Sequence, residues 1–346
     1  MTRKKGCIKM GKDNNAKGTL RKDIEFYNDN ENKIESVYFN KAKVLLEALP
    51  YIKEYSEKTV VVKIGGAMME DDAIMQRVMD DIILMKYVGI KVILVHGGGK
   101  QITRLMNEKN IDVKFIDGLR VTSKESIDVV MMVLLGSINS KVVAFLNKHG
   151  SAAMGVSGND ANFIKCKKKF YKKSGRAVDL GYVGEITEID KGFIANILKN
   201  DYIPVIATIG TDGMGNFYNI NADTCASQLA VSLNAKKLIL LTDVDGIMGT
   251  GGVTAGAGNA ANEADRNDNT ADNNKDKKLI SALSASKCDW MIKNREIDSG
   301  MIPKVKACID ALKGGVERTY ILNGNVPHSI LIEIFTDKGI GTMITL

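Results

Sequence analysis

Thr59-Val-Val-Val-Lys-Ile-Gly-Gly66 sets five β-branched residues around a single lysine and runs straight into two glycines. β-Branched side chains favour the pleated conformation. With apolar residues at both odd and even positions, the segment predicts a strand buried on both faces, as in parallel sheets covered by helices on either side. Glycine lacks a Cβ, so backbone N–H groups at Gly65 and Gly66 are free to approach an anion closely. Open α/β sheets take their ligands just beyond the carboxyl ends of their strands, and Lys63 lies at such an end. Two readings of Lys63 stand side by side: a surface lysine at a turn, or a point charge for a phosphoryl group.

The pattern repeats downstream. Asp71 and Asp72 predict a helix start, and Ile74, Val78, Ile82 and Met85 share one face of that helix. Val92-Ile-Leu-Val95 predicts a second strand that ends in His96-Gly-Gly-Gly99. Strand, glycine turn, helix, strand, glycine turn is the signature of α/β units on a parallel sheet. Helical periodicity covers 126–148, and no apolar stretch is read as approaching the roughly 18–20 residues of a membrane-spanning helix. Further strands are predicted at 152–156, 203–209, 238–241 and 320–322, with the segment around Ile334 closing the sheet. Hairpins are predicted between 163 and 186, and a helix at 222–233. The fold expected is a three-layer α/β/α sandwich on a central, mainly parallel sheet.

Upstream, Leu45, Leu49 and Ile52 recur at helical spacing, and Pro50 predicts a kink in a helix assigned to 37–57. Residues 1–36 are polar, Lys/Asn-rich and without periodicity, which predicts a disordered basic tail. Residues 249–278 are rich in Gly, Ala, Asn and Asp and predict a disordered insertion, because they offer little apolar surface against the entropy of ordering.

Hydrophobic residues make up 45% of the 346, enough for a sizeable core. The net charge of +7 hints at nucleic acid, but residues 1–22 carry eight Lys/Arg against one Asp and leave the remaining 324 neutral overall. The excess belongs to the tail and not to the body, which speaks against a nucleic-acid partner. A second basic run, 165–176, embeds Phe170 and Tyr171, a mixture that also suits single-stranded nucleic acid; a solvated hairpin is the preferred reading. The five cysteines are odd in number and show neither C-x-x-C spacing nor a histidine pattern, which speaks against zinc and disulfides and fits a reducing cytoplasm. The N-terminus lacks the apolar core of a secretory signal.

Four further motifs carry chemistry. The three glycines of 97–99 either form a tight turn or offer amides to an anion; Gln101 after Lys100 excludes a P-loop. In Asn219-Ile-Asn-Ala-Asp223, Asn221 or Asp223 suits a helix cap; alternatively Asn219 binds a polar substrate and Asp223 orients lysines by ion pairing. Asp243-Val-Asp-Gly246 follows a strand, where the acids either contact a nucleotide ribose or form a turn. In Gly300-Met-Ile-Pro-Lys304, Pro303 suits the first turn of a helix. Lys304 then sits near a positive helix end, a poor place for a cation unless an anion binds.

Taken together these segments resemble the amino-acid kinase family. The matching text is VVVKIGGAMM (60–69), VHGGGKQI (95–102), DGLRVT (117–122), GNDANFI (158–164), NINADTCASQLA (219–230), LILLTDVDGI (238–247), GMIPKVKACIDAL (300–312) and EIFTDKGIGTMI (333–344). K-x-G-G alone is shared with carbamate, aspartate, glutamate and uridylate kinases; HGGG, GLRVT, NINAD and GMIPK in combination point to the branch acting on N-acetyl-L-glutamate. The resemblance implies transfer of the ATP γ-phosphoryl group to the side-chain carboxylate of that substrate, in arginine and ornithine synthesis. It implies a substrate lobe over about 58–220 and a nucleotide lobe over about 221–346. Mg²⁺ would arrive on the nucleotide, with no dedicated protein metal site.

Residue by residue, the resemblance gives Lys63 and Lys304 the phosphoryl group and Asp223 the task of organising them. Gly98 and Gly99 would line the substrate site, Arg120 would pair with the α-carboxylate and Asn219 would hold the substrate. ATP would meet Gly65, Gly66, Asp243, Asp245 and Gly246. Arginine-inhibited members carry a kinked N-terminal helix that joins dimers into hexamers, and residues 41–52 are similar to it. Glu333 and Gly339 fall in the region associated with the effector, while Tyr320 stands where a histidine is expected. The resemblance thus implies a homo-oligomer, a dimer or a trimer of dimers, and arginine as inhibitor. Two rival readings are a sister kinase of carbamate, glutamate or aspartate, disfavoured by Arg120 and NINAD, and a non-catalytic arginine-sensing module, disfavoured by intact Lys63, Asp223 and Lys304.

Overall fold

The computed structural model describes residues 38–173, 176–249, 278–337 and 339–346; the tail and the insertion expected from the sequence lie outside the described residues, apart from the flanking positions 249 and 278. The chain divides into two units, Met1–Pro50 and Tyr51–Leu346. Of the first, residues 38–50 are helical, and Phe39, Leu45 and Leu46 are 72%, 72% and 68% exposed.

The second unit is built on an eight-stranded sheet. Its strands are β1 (Thr59–Ile64), β2 (Lys91–His96), β3 (Ala153–Ser157), β4 (Ile203–Ala207), β5 (Lys237–Thr242), β6 (Ala282–Ser284), β7 (Arg318–Asn323) and β8 (Thr342–Thr345). The spatial order is β6-β8-β7-β5-β1-β2-β4-β3. All neighbours are parallel except β7 and β8. The last strand along the chain is β8, set between β6 and β7, and the expectation for Ile334 needs correction. Ile334 lies in a helix, Ser329–Phe335, because Ile330 and Ile334 are one helical turn apart and both are buried.

β1 is central, flanked by β2 and β5, and its side chains alternate between two cores. Val60, Val62 and Ile64 join the core under the helices Asp72–Tyr87 and Lys124–Lys148. Val61 joins the opposite core, under the helices Ala222–Ser232 and Ile302–Lys313. Period two therefore places Lys63 on the Val61 face. That parity decides which helices meet the lysine.

The sequence reading understates one helix. Lys124–Lys148 spans 25 residues and is long and apolar enough, by length and composition, to cross a membrane. Its Ile127, Val130, Leu134, Ile138, Val142 and Leu146 are instead buried against the sheet, as a core helix. Its middle, Met132–Asn139, winds in wider π-type turns that carry Asn139 inward. There the Asn139 amide donates to the Val205 carbonyl at 2.9 Å and meets His96 Nε2 at 3.0 Å. Beside the sheet, Ile164–Lys173 and Arg176–Ile189 form the predicted hairpin, closed into a small barrel with Ile209–Thr211 and Phe217–Asn219. Three lysines of its basic run pair across the strands: Lys165 with Glu188 at 2.9 Å, Lys167 with Glu185 at 3.1 Å and Lys168 with Asp179 at 2.7 Å. The solvated-hairpin reading fits this ladder.

Asp81, 1% exposed, faces His328 Nδ1 at 2.6 Å and so ties the helix Asp72–Tyr87 to the chain entering Ser329–Phe335. Burial, partly offset by His328, pushes the Asp81 carboxyl up to about 6. A carboxyl that binds its proton more tightly folded than unfolded contributes stability that is lost as pH rises from about 4 to about 6. Urea unfolding of Asp81→Asn against the parent should therefore show the variant gaining ground steadily across that window; a constant difference would contradict the assignment.

Candidate active site

The carboxyl ends of β1, β2 and β5 meet at one edge of the sheet, and the loops after them build the site. After β1, Gly65 passes under the Leu241 carbonyl, where a Cβ would lie 3.1 Å from that oxygen and 2.9 Å from Met68. A Cβ there requires the Leu241 carbonyl and the end of the Met68 side chain to give way by a few tenths of an ångström. After β2, Gly98 precedes the helix Gly99–Glu108, and no side chain caps this helix. Its first amides are open to a ligand. The two glycine turns are tied together: Gln101 donates to the Gly66 carbonyl at 3.2 Å.

On the opposite face, Asn221 caps the helix Ala222–Ser232 by accepting from the Thr224 amide at 3.0 Å. The capping alternative thus falls to Asn221, and Asp223 points inward. Its carboxylate lies 2.7 Å from Lys63 Nζ and 3.4 Å from Lys304 Nζ. The side chains of Lys63 and Asp223 are 7% and 6% exposed. Burial raises the Asp223 carboxyl, but the two ammonium groups outweigh it and hold the group below the usual range. Lys304 comes from the first turn of Ile302–Lys313, whose N-terminus carries Pro303 and no side-chain cap. Two lysines from distant segments thus share one buried carboxylate, which leaves a net positive charge at an uncapped helix end.

Arg120 lies at the end of the hairpin Phe115–Ile116/Leu119–Arg120. Its guanidinium donates to the Gly99 carbonyl at 2.8 Å and to Thr103 Oγ1 at 2.7 Å, and sits 4.7 Å from the Phe115 ring centroid. It is only 7% exposed, and burial shifts its pKa down. Among the described residues no carboxylate pairs with it. Arg120, Lys63, Gly98, Gly99, Asn219 and Asp223 all line one cavity of about 190 Å³. A second cavity of about 310 Å³ beyond β5 is lined by Asp243, Gly246, Met301 and Lys304. Between them a third, with Lys63, Gly65, Gly66 and Lys304 on its walls, joins the set. Lys63 borders the first and third, and Lys304 the second and third.

Comparison with known proteins gives this geometry a family. Residues 58–255 match the amino acid kinase family. The chain belongs to the amino acid kinase family. The acetylglutamate kinase of Caldicellulosiruptor bescii is 45% identical over 306 residues, 88% of this chain and 97% of the relative. That of Pelotomaculum thermopropionicum is 46% identical over 314 residues, 89% of this chain and 99% of the relative. Among solved structures, N-acetylglutamate synthase from Neisseria gonorrhoeae, complexed with coenzyme A and N-acetyl-glutamate, superposes with a TM-score of 0.73 at 27% identity over 88% of this chain. This chain covers 63% of that structure. The same enzyme with coenzyme A and L-arginine gives 0.70 at 26%, covering 88% of this chain and 65% of that one.

In this amino acid kinase, eleven of the residues singled out from the sequence border the three cavities: Lys63, Gly65, Gly66, Gly98, Gly99, Arg120, Asn219, Asp223, Asp243, Gly246 and Lys304. Gly246 has a positive φ of 145°, and a Cβ there would lie 2.6 Å from Thr342 Oγ1, so the backbone itself requires glycine. Asp245 lines none of the three and accepts from Asn323 Nδ2 at 2.7 Å. Glu333 and Gly339 lie elsewhere and close to each other: a Cβ on Gly339 would lie 3.7 Å from Glu333 Oε2. Three residues escaped the sequence reading. Thr208 lines the first cavity. Lys100, beside the glycine run, lines the third. Lys237 is buried between the Tyr55 and Tyr320 rings at 4.5 and 4.7 Å, and burial pushes it down to about 8. His96, wholly buried, is lowered to about 4 by burial and stays neutral near pH 7.

Breaking a buried ion pair from one side strands the other charge. Asp223→Ala should therefore lose about 3–5 kcal/mol of stability in urea unfolding near pH 7. Because the folded carboxyl titrates below its unfolded value, the parent's advantage should be full above the unfolded pKa of about 3.9 and vanish as pH falls further. A loss under about 1 kcal/mol, typical of exposed pairs, would contradict the buried geometry.

Proposed function

We propose that this protein transfers the γ-phosphoryl group of ATP to the side-chain carboxylate of N-acetyl-L-glutamate. The observation that carries the reading is Arg120, a buried guanidinium without a carboxylate partner among the described residues, facing the same cavity as Lys63. A buried cation of this kind calls for an anion, and a planar fork suits a carboxylate. With the α-carboxylate on Arg120 and the amide groups near Asn219, the side-chain carboxylate of a glutamate derivative is directed toward Lys63. Ile102, Leu134 and Val183 give the cavity an apolar side for the acetyl methyl.

One oxygen of that carboxylate attacks the γ-phosphorus, the bond to the β,γ-bridging oxygen breaks, and ADP leaves with the electron pair. The products are ADP and an acyl phosphate. The nucleophile is already ionised near pH 7, so no general base is required, and neutral, buried His96 is not called on. Lys63, Lys304 and the amides of Gly65, Gly66, Gly98 and Gly99 supply positive potential where charge moves. The base and ribose occupy the cavity beside Asp243 and Gly246. Mg²⁺ carried on the nucleotide would supply charge neutralisation at the phosphates. Residues up to about 220 serve as the substrate lobe and those beyond as the nucleotide lobe.

Two further features belong to the same reading. The helix 38–50 exposes apolar side chains that water disfavours, and a second copy of this chain is the proposed cover, giving dimers joined into hexamers. Arginine is the proposed inhibitor, acting near Glu333 and Gly339 with Lys237 close by in charge interaction with Glu333. The related synthase's complex with L-arginine is in keeping with this. The cytoplasm is the proposed setting.

ADP release with ATP and Mg²⁺ should be seen with N-acetyl-L-glutamate and not with glutamate, aspartate or carbamate. Lys304→Ala should lower kcat by about 10²–10³, the usual effect of losing one preorganised donor. Arg120→Ala should act mainly on KM for the acid. Turnover with one of the other acids in its place would move the protein to a sister activity. Light scattering of the full chain against one lacking residues 1–50 should show a smaller assembly for the shortened chain; equal assemblies would remove the helix from the interface.

A further inference from the structure

The hairpin that carries Arg120 is too small to hold itself. It has two residues on each strand and a two-residue turn, Asp117-Gly118, with φ of 46° and 80°. Ribbons of this size are marginal in water, yet four of its residues, Phe115, Gly118, Leu119 and Arg120, form one wall of the substrate cavity. Two ties hold it to the long hairpin Ile164–Lys173/Arg176–Ile189. At its base, the Thr122 amide donates to the Leu180 carbonyl at 2.9 Å and the Tyr182 amide donates to the Thr122 carbonyl at 2.7 Å. At its tip, the Tyr171 hydroxyl donates to the Asp117 carboxylate.

We infer that Tyr171 is a positioning residue for the acid substrate, holding the Asp117-Gly118 turn so that Phe115 and Arg120 close the cavity wall. The base tie uses backbone groups and persists whatever the side chains. The tip tie is the adjustable one, a single hydroxyl on a single carboxylate 54 positions away in sequence. A register shift in the long hairpin lies between Lys168 and Phe170, just before Tyr171. Such bulges re-aim the side chains that follow them. Tyr171 thereby acts on binding of the acid, and neither on the nucleotide nor on the phosphoryl step.

The inference rests on the proposed reaction, and one set of measurements separates the two. Steady-state kinetics of the full chain, Tyr171→Phe, Asp117→Ala and the double variant are compared, with melting temperatures alongside. Expected is a KM for N-acetyl-L-glutamate raised about three- to tenfold in Tyr171→Phe, the scale of one partly solvated charged hydrogen bond. Its kcat, KM for ATP and melting temperature should stay close to the parent's. Asp117→Ala should match it, and the double variant should be no worse than either single one, as expected for partners in one contact. An unchanged KM for the acid in Tyr171→Phe, additive effects, or a fall in kcat together with melting temperature would each overturn the positioning role. A parent chain inert toward N-acetyl-L-glutamate would instead defeat the proposed reaction.

Discussion

One carboxylate, Asp223, shared by Lys63 and Lys304, is the constraint around which the second unit is arranged. The lysines stand 241 positions apart and reach Asp223 from a central strand and from the first turn of a helix. Strand parity puts Lys63 on the face covered by both helices that carry its partners. Without the carboxylate, two ammonium groups would crowd one buried place; with it, they are held apart at fixed distances and keep one positive charge in excess. That excess, with the uncapped end of Gly99–Glu108 and an Arg120 that meets no carboxylate among the described residues, makes a site preorganised for anions.

The remaining parts of the site serve this arrangement by excluding bulk. Gly65 slips beneath the Leu241 carbonyl, and Gly98 lies against Leu134 and Ile138, where a Cβ would come within 2.8 and 2.6 Å of their side chains. His96 and Asn139 hold the second strand end and the π-type turns of the long helix together through neutral hydrogen bonds. Its imidazole therefore has a structural role in a site otherwise dominated by cations.

Much of this was legible in the sequence because it is written locally. The run 59–66 announces a strand buried on both faces and a glycine turn, and Pro303 marks the start of the helix that lifts Lys304 into place. What was not legible depends on partners far away. Asn221 and Asp223 both suit a cap by local preference; only the position of Lys63 and Lys304 separates a cap from an ion-pair hub. Lys237 reads as a strand lysine until the rings of Tyr55 and Tyr320 close over it. The apolar length of Lys124–Lys148 is masked in the sequence because Gly136-Ser137-Ile138-Asn139-Ser140 interrupts it, while the helix continues through wider turns. Arg120 came from family resemblance alone, since two-residue strands leave no periodicity to detect. At Ile334 the sequence does not separate strand from helix, because an isolated apolar run looks alike in both conformations.

The central claim is that these cations direct a phosphoryl group onto a substrate carboxylate. Hydroxylamine trapping tests it most directly, because an acyl phosphate yields a hydroxamate and simple ATP hydrolysis does not. The account predicts N-acetyl-glutamyl hydroxamate in step with ADP when the full chain is given ATP, Mg²⁺ and N-acetyl-L-glutamate. ADP formed without hydroxamate would contradict it.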